Sequence, residues 1–106
     1  MKNDVIVTKM LKYINKVLEY SSGMDYESFK ANSMCQEACV FNISQLGEVA
    51  NKIDKEFEKK YSKIPWRQIY GLRNRIVHDY EGVNLKLVWE IIQNDLPEVK
   101  ELLEEI

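Results

Sequence analysis

The chain has 106 residues, 45% of them hydrophobic and 30% charged, with a formal net charge of −2, four Gly and two Pro. That length suits one domain spanning residues 1–106, and the composition excludes a disordered chain, a collagen-like repeat and a disulfide scaffold. No apolar run approaches the roughly 18 residues a membrane span needs, and MKNDVIVTKMLKYINK interleaves lysine among its apolar positions, unlike a signal peptide, so a cytoplasmic protein with no membrane partner is expected.

From Asp4 to Tyr20, the residues Ile6, Met10, Ile14 and Val17 recur at steps of four, four and three, one stripe of an amphipathic helix. SSG at 21–23 ends it. Asp25 then stands as an N-cap, with Phe29 as the anchor of a short helical turn. A longer helix is expected from about Met34 to Tyr61, where Cys39, Ile43, Leu46, Ala50, Ile53 and Phe57 alternate steps of four and three along one seam. Gly47 flanks that seam. It costs a helix about 1 kcal/mol relative to Ala, so it is read as permitting a close backbone approach. Cys35 and Cys39 lack the further ligands of a zinc site and read as reduced, buried thiols acting as small hydrophobes; no metal or cofactor is expected.

Ser62 to Pro65 break the pattern, and the next helix is expected to run from Pro65 or Trp66 through WRQIYGLRNRIVH. Asn84 can cap a helix holding Leu85, Val88, Trp89 and Ile92. Asp95-Leu-Pro-Glu98 resembles a capping box opening a last helix over 96–105, bent against its predecessor or continuous with it. The result is an all-α antiparallel bundle of four or five helices.

Charge is distributed unevenly. Residues 52–75 carry eight lysines and arginines against three carboxylates, a net of +5, so the remainder carries −7. This allows an anionic ligand near the middle of the chain, although mixed lysines and glutamates are also what exposed helix faces carry. The same region leads into RNRIVHDY, residues 73–80, which holds the only histidine, His78. On a helical wheel Trp66, Ile69, Leu72, Ile76, Val77 and Tyr80 share an apolar arc with Arg73 inside it. A guanidinium there must snorkel, pair with a carboxylate such as Glu48, or face a cleft that receives an anion. Asn74 lies nearly in line with His78, but His78 sits about 140° from Arg73. Either the helix deforms near its end, or a second copy supplies the complement across a two-fold axis.

An imidazole can take a proton from a ribose 2′-hydroxyl, and a guanidinium can stabilise charge developing on a phosphate. Together they outline metal-independent RNA cleavage through a 2′,3′-cyclic phosphate. A capped helix end with a structural histidine fits the same residue types.

Residues 64–106, with PWR, NDLP and the Arg73, His78 and Tyr80 spacing of Arg, four residues, His, one residue, Tyr, resemble the HepT-like toxins of the HEPN superfamily; FNISQLGEVANKI at 41–53 resembles their second helix, with valine 49 where alanine is usual. The resemblance implies a HEPN-like dimeric ribonuclease, the toxin of a type VII-like toxin–antitoxin pair, with Arg73 and His78 catalytic in a cleft between the two protomers. It implies as partner a minimal nucleotidyltransferase antitoxin that consumes ATP and Mg and adenylylates Tyr80. RNA affinity would come from Asn74, Arg67, Arg75 and the lysines of 52–63. The competing reading is a non-enzymatic HEPN interaction subunit that binds or scaffolds a minimal nucleotidyltransferase.

Overall fold

The computed structural model describes residues 2–76 and 84–106, and among these every regular element is helical. In chain order they are α1 (Asn3–Ser21), α2 (Tyr26–Lys30), α3 (Ser33–Ala50), α4 (Lys55–Lys60), α5 (Trp66–Tyr70), α6 (Leu72–Ile76), α7 (Leu85–Glu90), one π-helical turn (Ile91–Asp95) and α8 (Leu96–Glu104).

Helices α1 and α3 form the frame and run antiparallel. Asn3, at the start of α1, donates from its amide to Asp54 beyond the end of α3 (2.9 Å), while Cys35, in the first turn of α3, donates from Sγ to the Tyr20 carbonyl at the end of α1 (3.5 Å). The stripe expected on α1 is buried, with Ile6, Met10 and Ile14 at 0% exposure, and it meets Cys39, Ile43, Leu46 and Ala50 of α3 in one apolar core. Phe29 of α2 is buried in the same core, with its ring 5.2 Å from that of Trp89. Asp25 caps α2 as expected: its carboxylate accepts from the Ser28 amide (2.8 Å), and its own amide donates to Ser28 Oγ (3.0 Å).

Three expectations need correction. The helix expected from Met34 to Tyr61 stops at Ala50. Asp54 takes extended angles and accepts from the Phe57 amide (2.9 Å), capping a separate α4; a side chain that caps competes with continuing the preceding helix. The apolar seam carries on through buried Ile53 and half-buried Phe57 although the helix does not. Secondly, the helix expected from residue 66 is divided at Gly71, whose amide closes α5 on the Arg67 carbonyl (3.1 Å). Thirdly, Asp95 does not cap α8. It has helical angles and no capping bond, and the chain passes from α7 to α8 through the π turn, closed by the Leu96 amide on the Ile91 carbonyl five residues back. Pro97 gives the reason: it has no amide hydrogen, its ring would crowd the carbonyl of residue 93 in a regular α-helix, and the wider π turn relieves that contact.

No helix among the described residues is long and apolar enough to cross a membrane.

Candidate active site

The segment bearing the candidate residues is held from below by an apolar base. Pro65 takes an inverse γ-turn geometry (φ −78°, ψ 69°) with the Trp66 amide bonded to the Ile64 carbonyl at 2.8 Å, which aims the chain into α5. Trp66 is buried, donates from its indole to the Tyr61 carbonyl (3.1 Å) and lies edge-on to Phe57 at 6.2 Å. Ile69, Leu72 and Ile76 are buried behind it.

Gly47 brings this base onto α3. A Cβ at that position would lie 3.0 Å from the Ile69 carbonyl oxygen and 3.6 Å from that of Tyr70, so the close approach inferred from the sequence is present. The contact is backbone against backbone. Any side chain at Gly47 would push α5, and α6 with it, away from α3.

On this base the cations spread over separate surfaces. Arg73 and Asn74 are exposed on α6. Arg73 therefore does not lie within the apolar arc: the break at Gly71 restarts the helix so that Leu72 and Ile76 turn inward and Arg73 outward. Among the described residues no ion pair joins it to Glu48 or to another carboxylate, the one such pair being Arg75 with Asp95.

Arg67 is exposed beside Lys55 and Lys59 on a shallow depression of about 490 Å³ that Glu58, Pro65 and Trp66 also line. Three cations against one carboxylate make this a surface for an anion. Arg75 instead faces a cleft of about 350 Å³ between α5–α6 and the C-terminal helix, with its Nη1 3.7 Å from Asp95 Oδ2. The cleft has an apolar floor of Ile69, Leu72, Leu96 and Val99 and carries Glu98 on its rim. The three arginines read together from the sequence thus occupy three different settings, and Gln68 lines both depressions. The part played by Asp95 went unseen in the sequence because it depends on the π turn, which no apolar periodicity announces.

His78 and Tyr80 lie outside the described residues. The residues flanking them are joined: the Asn84 amide donates to the Ile76 carbonyl at 3.2 Å, and Asn84 Oδ1 accepts from the Leu87 amide at 3.1 Å to start α7. Residue 84 therefore lies beside Ile76 of α6. The two nearby tyrosines are both engaged. Tyr70 stacks on Trp66 at 6.5 Å, and burial, then the neighbouring Glu58 carboxylate, raise its phenol well above the ordinary value. Tyr61 packs on Phe57 at 4.7 Å, with Lys60 Nζ 5.4 Å from its ring centroid.

A sequence model described as Ribonuclease HepT-like matches residues 10–106. Relatives named Putative RNase include TTE0752 of Caldanaerobacter subterraneus subsp. tengcongensis, 34% identical over 90 residues that cover 85% of this chain and 80% of that protein. MJ1380 and MJ0125 of Methanocaldococcus jannaschii carry the same name; each is 33% identical, over 90% and 92% of this chain and 87% and 84% of their own lengths. No solved structure matches the chain.

Proposed function

The chain belongs to the Ribonuclease HepT-like family, and from that premise we propose that it is a metal-independent endoribonuclease, the toxin of a toxin–antitoxin pair, working as a homodimer. The observation that carries the reading is the position of Arg73: it is exposed on α6, its backbone fixed by buried Leu72 and Ile76, in the segment that leads directly to His78.

In this mechanism His78 takes the proton of a ribose 2′-hydroxyl, the 2′-oxygen attacks the adjacent phosphorus, and the bond from phosphorus to the 5′-oxygen breaks. Arg73 stabilises the charge that builds on the non-bridging oxygens. The departing 5′-oxygen needs a proton, and the chain has a single histidine, so the His78 of the second protomer donates it. The product is a 2′,3′-cyclic phosphate. Asn74 and Arg67, with Lys55 and Lys59 beside Arg67, hold the flanking strand, and Arg75 joins them when an RNA phosphate competes with Asp95.

A patch on the outer face of α3 suits the second copy. Phe41 is 60% exposed there, beside a groove of about 280 Å³ lined by Gln36, Glu37, Val40 and Leu85. Knob and hollow on one patch are what a two-fold interface requires. Leu85 follows Asn84, whose amide bonds to Ile76, so the axis passes close to where both 77–83 segments begin and end. The cleft lined by residues 66–80 of both chains then forms beside that seam.

The partner in this reading is a minimal nucleotidyltransferase that uses ATP and Mg to adenylylate Tyr80; each AMP would place a bulky anion where RNA phosphate must enter. The engagement of Tyr70 with Glu58 and Trp66 favours Tyr80 as acceptor. The experiment is RNA cleavage by protein produced without its antitoxin. Cleavage in EDTA with a cyclic phosphate end, lowered by about 10² to 10⁴ in His78→Ala, is expected. A folded protein that cleaves no RNA, or His78→Ala cleaving at the parental rate, would replace this reading with that of a non-enzymatic interaction subunit.

A further inference from the structure

At the far end of the α1–α3 pair, in a place the ribonuclease reading does not use, the Cys35 sulfur stands against two further sulfur atoms. Cys35 Sγ lies 3.9 Å from Cys39 Sγ and 3.7 Å from Met24 Sδ. The two cysteines are one helical turn apart on α3, so their side chains share a face. Met24 is brought to them by the turn after α1. Gly23 takes φ +77°, the left-handed region that glycine enters freely, and the Met24 amide closes on the Ser21 carbonyl at 3.1 Å. The Cys35 end of the helix is fixed in turn by the Asn32 side chain, which accepts from the Cys35 amide at 3.0 Å. Cys39 is fully buried, Cys35 is 8% exposed and Met24 is half-buried, so the group closes inward and opens outward past the thioether.

We propose that Cys35, Cys39 and Met24 form a three-coordinate site for a soft monovalent cation, copper(I). Three sulfurs placed about 2.3 Å from one centre stand about 4.0 Å apart, and the two separations that meet at Cys35 are within a few tenths of an ångström of that. The donor set is soft throughout, which selects copper(I) over hard or borderline ions. Zinc would require a closed shell of about four nitrogen, thiolate or carboxylate ligands, and no group of three such side chains is assembled among the described residues. On binding, each cysteine exchanges its S–H bond for an S–Cu bond and the proton leaves to solvent; the thioether donates a lone pair and loses nothing. No electron is transferred. The bound ion would tie the turn at Ser21–Met24 to the first turns of α3.

The test titrates the whole purified protein, without oxygen, with copper(I) held by the coloured chelator bicinchoninate. One equivalent should pass from the chelator to the protein, X-ray absorption should give three sulfur neighbours, and the melting temperature should rise with copper. Cys35→Ala should abolish the transfer, and Met24→Leu should weaken it about tenfold or more, circular dichroism verifying the fold of each variant. Folded parent protein that leaves the copper with the chelator would overturn the proposal. So would undiminished transfer in Cys35→Ala, or unchanged affinity in Met24→Leu with only two sulfurs on the metal. None of these readouts involves RNA, so the site stands or falls independently of the ribonuclease assay.

Discussion

Along α1 and α3 the backbone runs for 19 and 18 residues without a break, whereas from Trp66 to Glu104 the described backbone is interrupted at Gly71 and again at the π turn. The long pair keeps its apolar side chains in step and turns them all to the core. The interrupted half breaks at Gly71 and at the π turn, and two cations leave the core there: Arg73 for solvent, Arg75 toward Asp95. A regular helix can offer a cation to solvent only on the face its period allows. Interrupting the helix removes that limit, and the uninterrupted pair supplies the packing that the interruptions give up.

If the two halves divide the work in this way, substitutions should separate stability from activity. Ile43→Ala in α3 removes a fully buried side chain and should lower unfolding stability by about 4 kcal/mol in urea denaturation, while the folded fraction still cleaves RNA at the parental rate. Arg73→Ala should do the reverse. The melting temperature should stay where it is, because the side chain is exposed, and cleavage should fall by about 10² to 10³, equivalent to about 3 kcal/mol of lost transition-state stabilisation.

Gly47→Ala tests the join between the halves. The new Cβ would meet the Ile69 carbonyl at 3.0 Å, a backbone atom that cannot swing aside, and the strain should outweigh the gain in helix propensity by about 1 kcal/mol. Stability and cleavage should fall together in this variant, unlike in the previous two. Equal or greater stability with full activity would mean that the close approach does not position α6.

The smallest effect concerns acid. Hydrogen bonds from the Ser28 and Phe57 amides hold the Asp25 and Asp54 carboxyls below their usual value of 3.8. A carboxyl whose value is lower folded than unfolded binds fewer protons when folded, so its contribution is full above the unfolded value and is lost as pH falls through the folded one. The melting temperature should therefore drop as pH is lowered from about 5 toward 2, and Asp54→Asn, whose side chain caps without titrating, should flatten that drop slightly.

Sequence periodicity was enough for the regular half. The α1 stripe, the Asp25 cap, Phe29 and the seam from Cys39 to Ala50 are found where apolar spacing and cap chemistry place them. Gly47 was legible too, because a costly glycine inside a helix needs a tertiary reason. The breaks were not. Asn51 and Asp54 are weak helix formers within a seam whose apolar rhythm continues past them, and rhythm says which face is buried but not whether the backbone is continuous. Arg73 was assigned to the apolar arc on the assumption of one unbroken helix. For Asp95, the residues Asp-Leu-Pro-Glu match a cap in type and spacing, and only the hydrogen bond spanning five residues distinguishes a widened turn from a new start. Of the candidate site residues, Arg73, Asn74, Arg67 and Arg75 have described positions, and their common membership in one site was an inference from proximity in sequence that the fold distributes over three settings.

The π turn also makes the chain tolerant of a deletion. A π turn is an α-helix carrying one residue more than its hydrogen bonding needs, and one residue corresponds to about 100° of rotation. Buried Val88 before the turn, Ile91 and Ile92 within it, and Leu96, Val99 and Leu103 after it all face one core, so the turn takes up its extra residue without turning the helices on either side out of register. Removing a single residue between Ile91 and Asp95 would let the turn close as an ordinary α-helix and leave α8 facing α1 as before, while setting the Pro97 ring against the carbonyl four residues back. A one-residue deletion, which elsewhere in a helix would rotate everything after it by about 100°, would here be absorbed as a loop absorbs it.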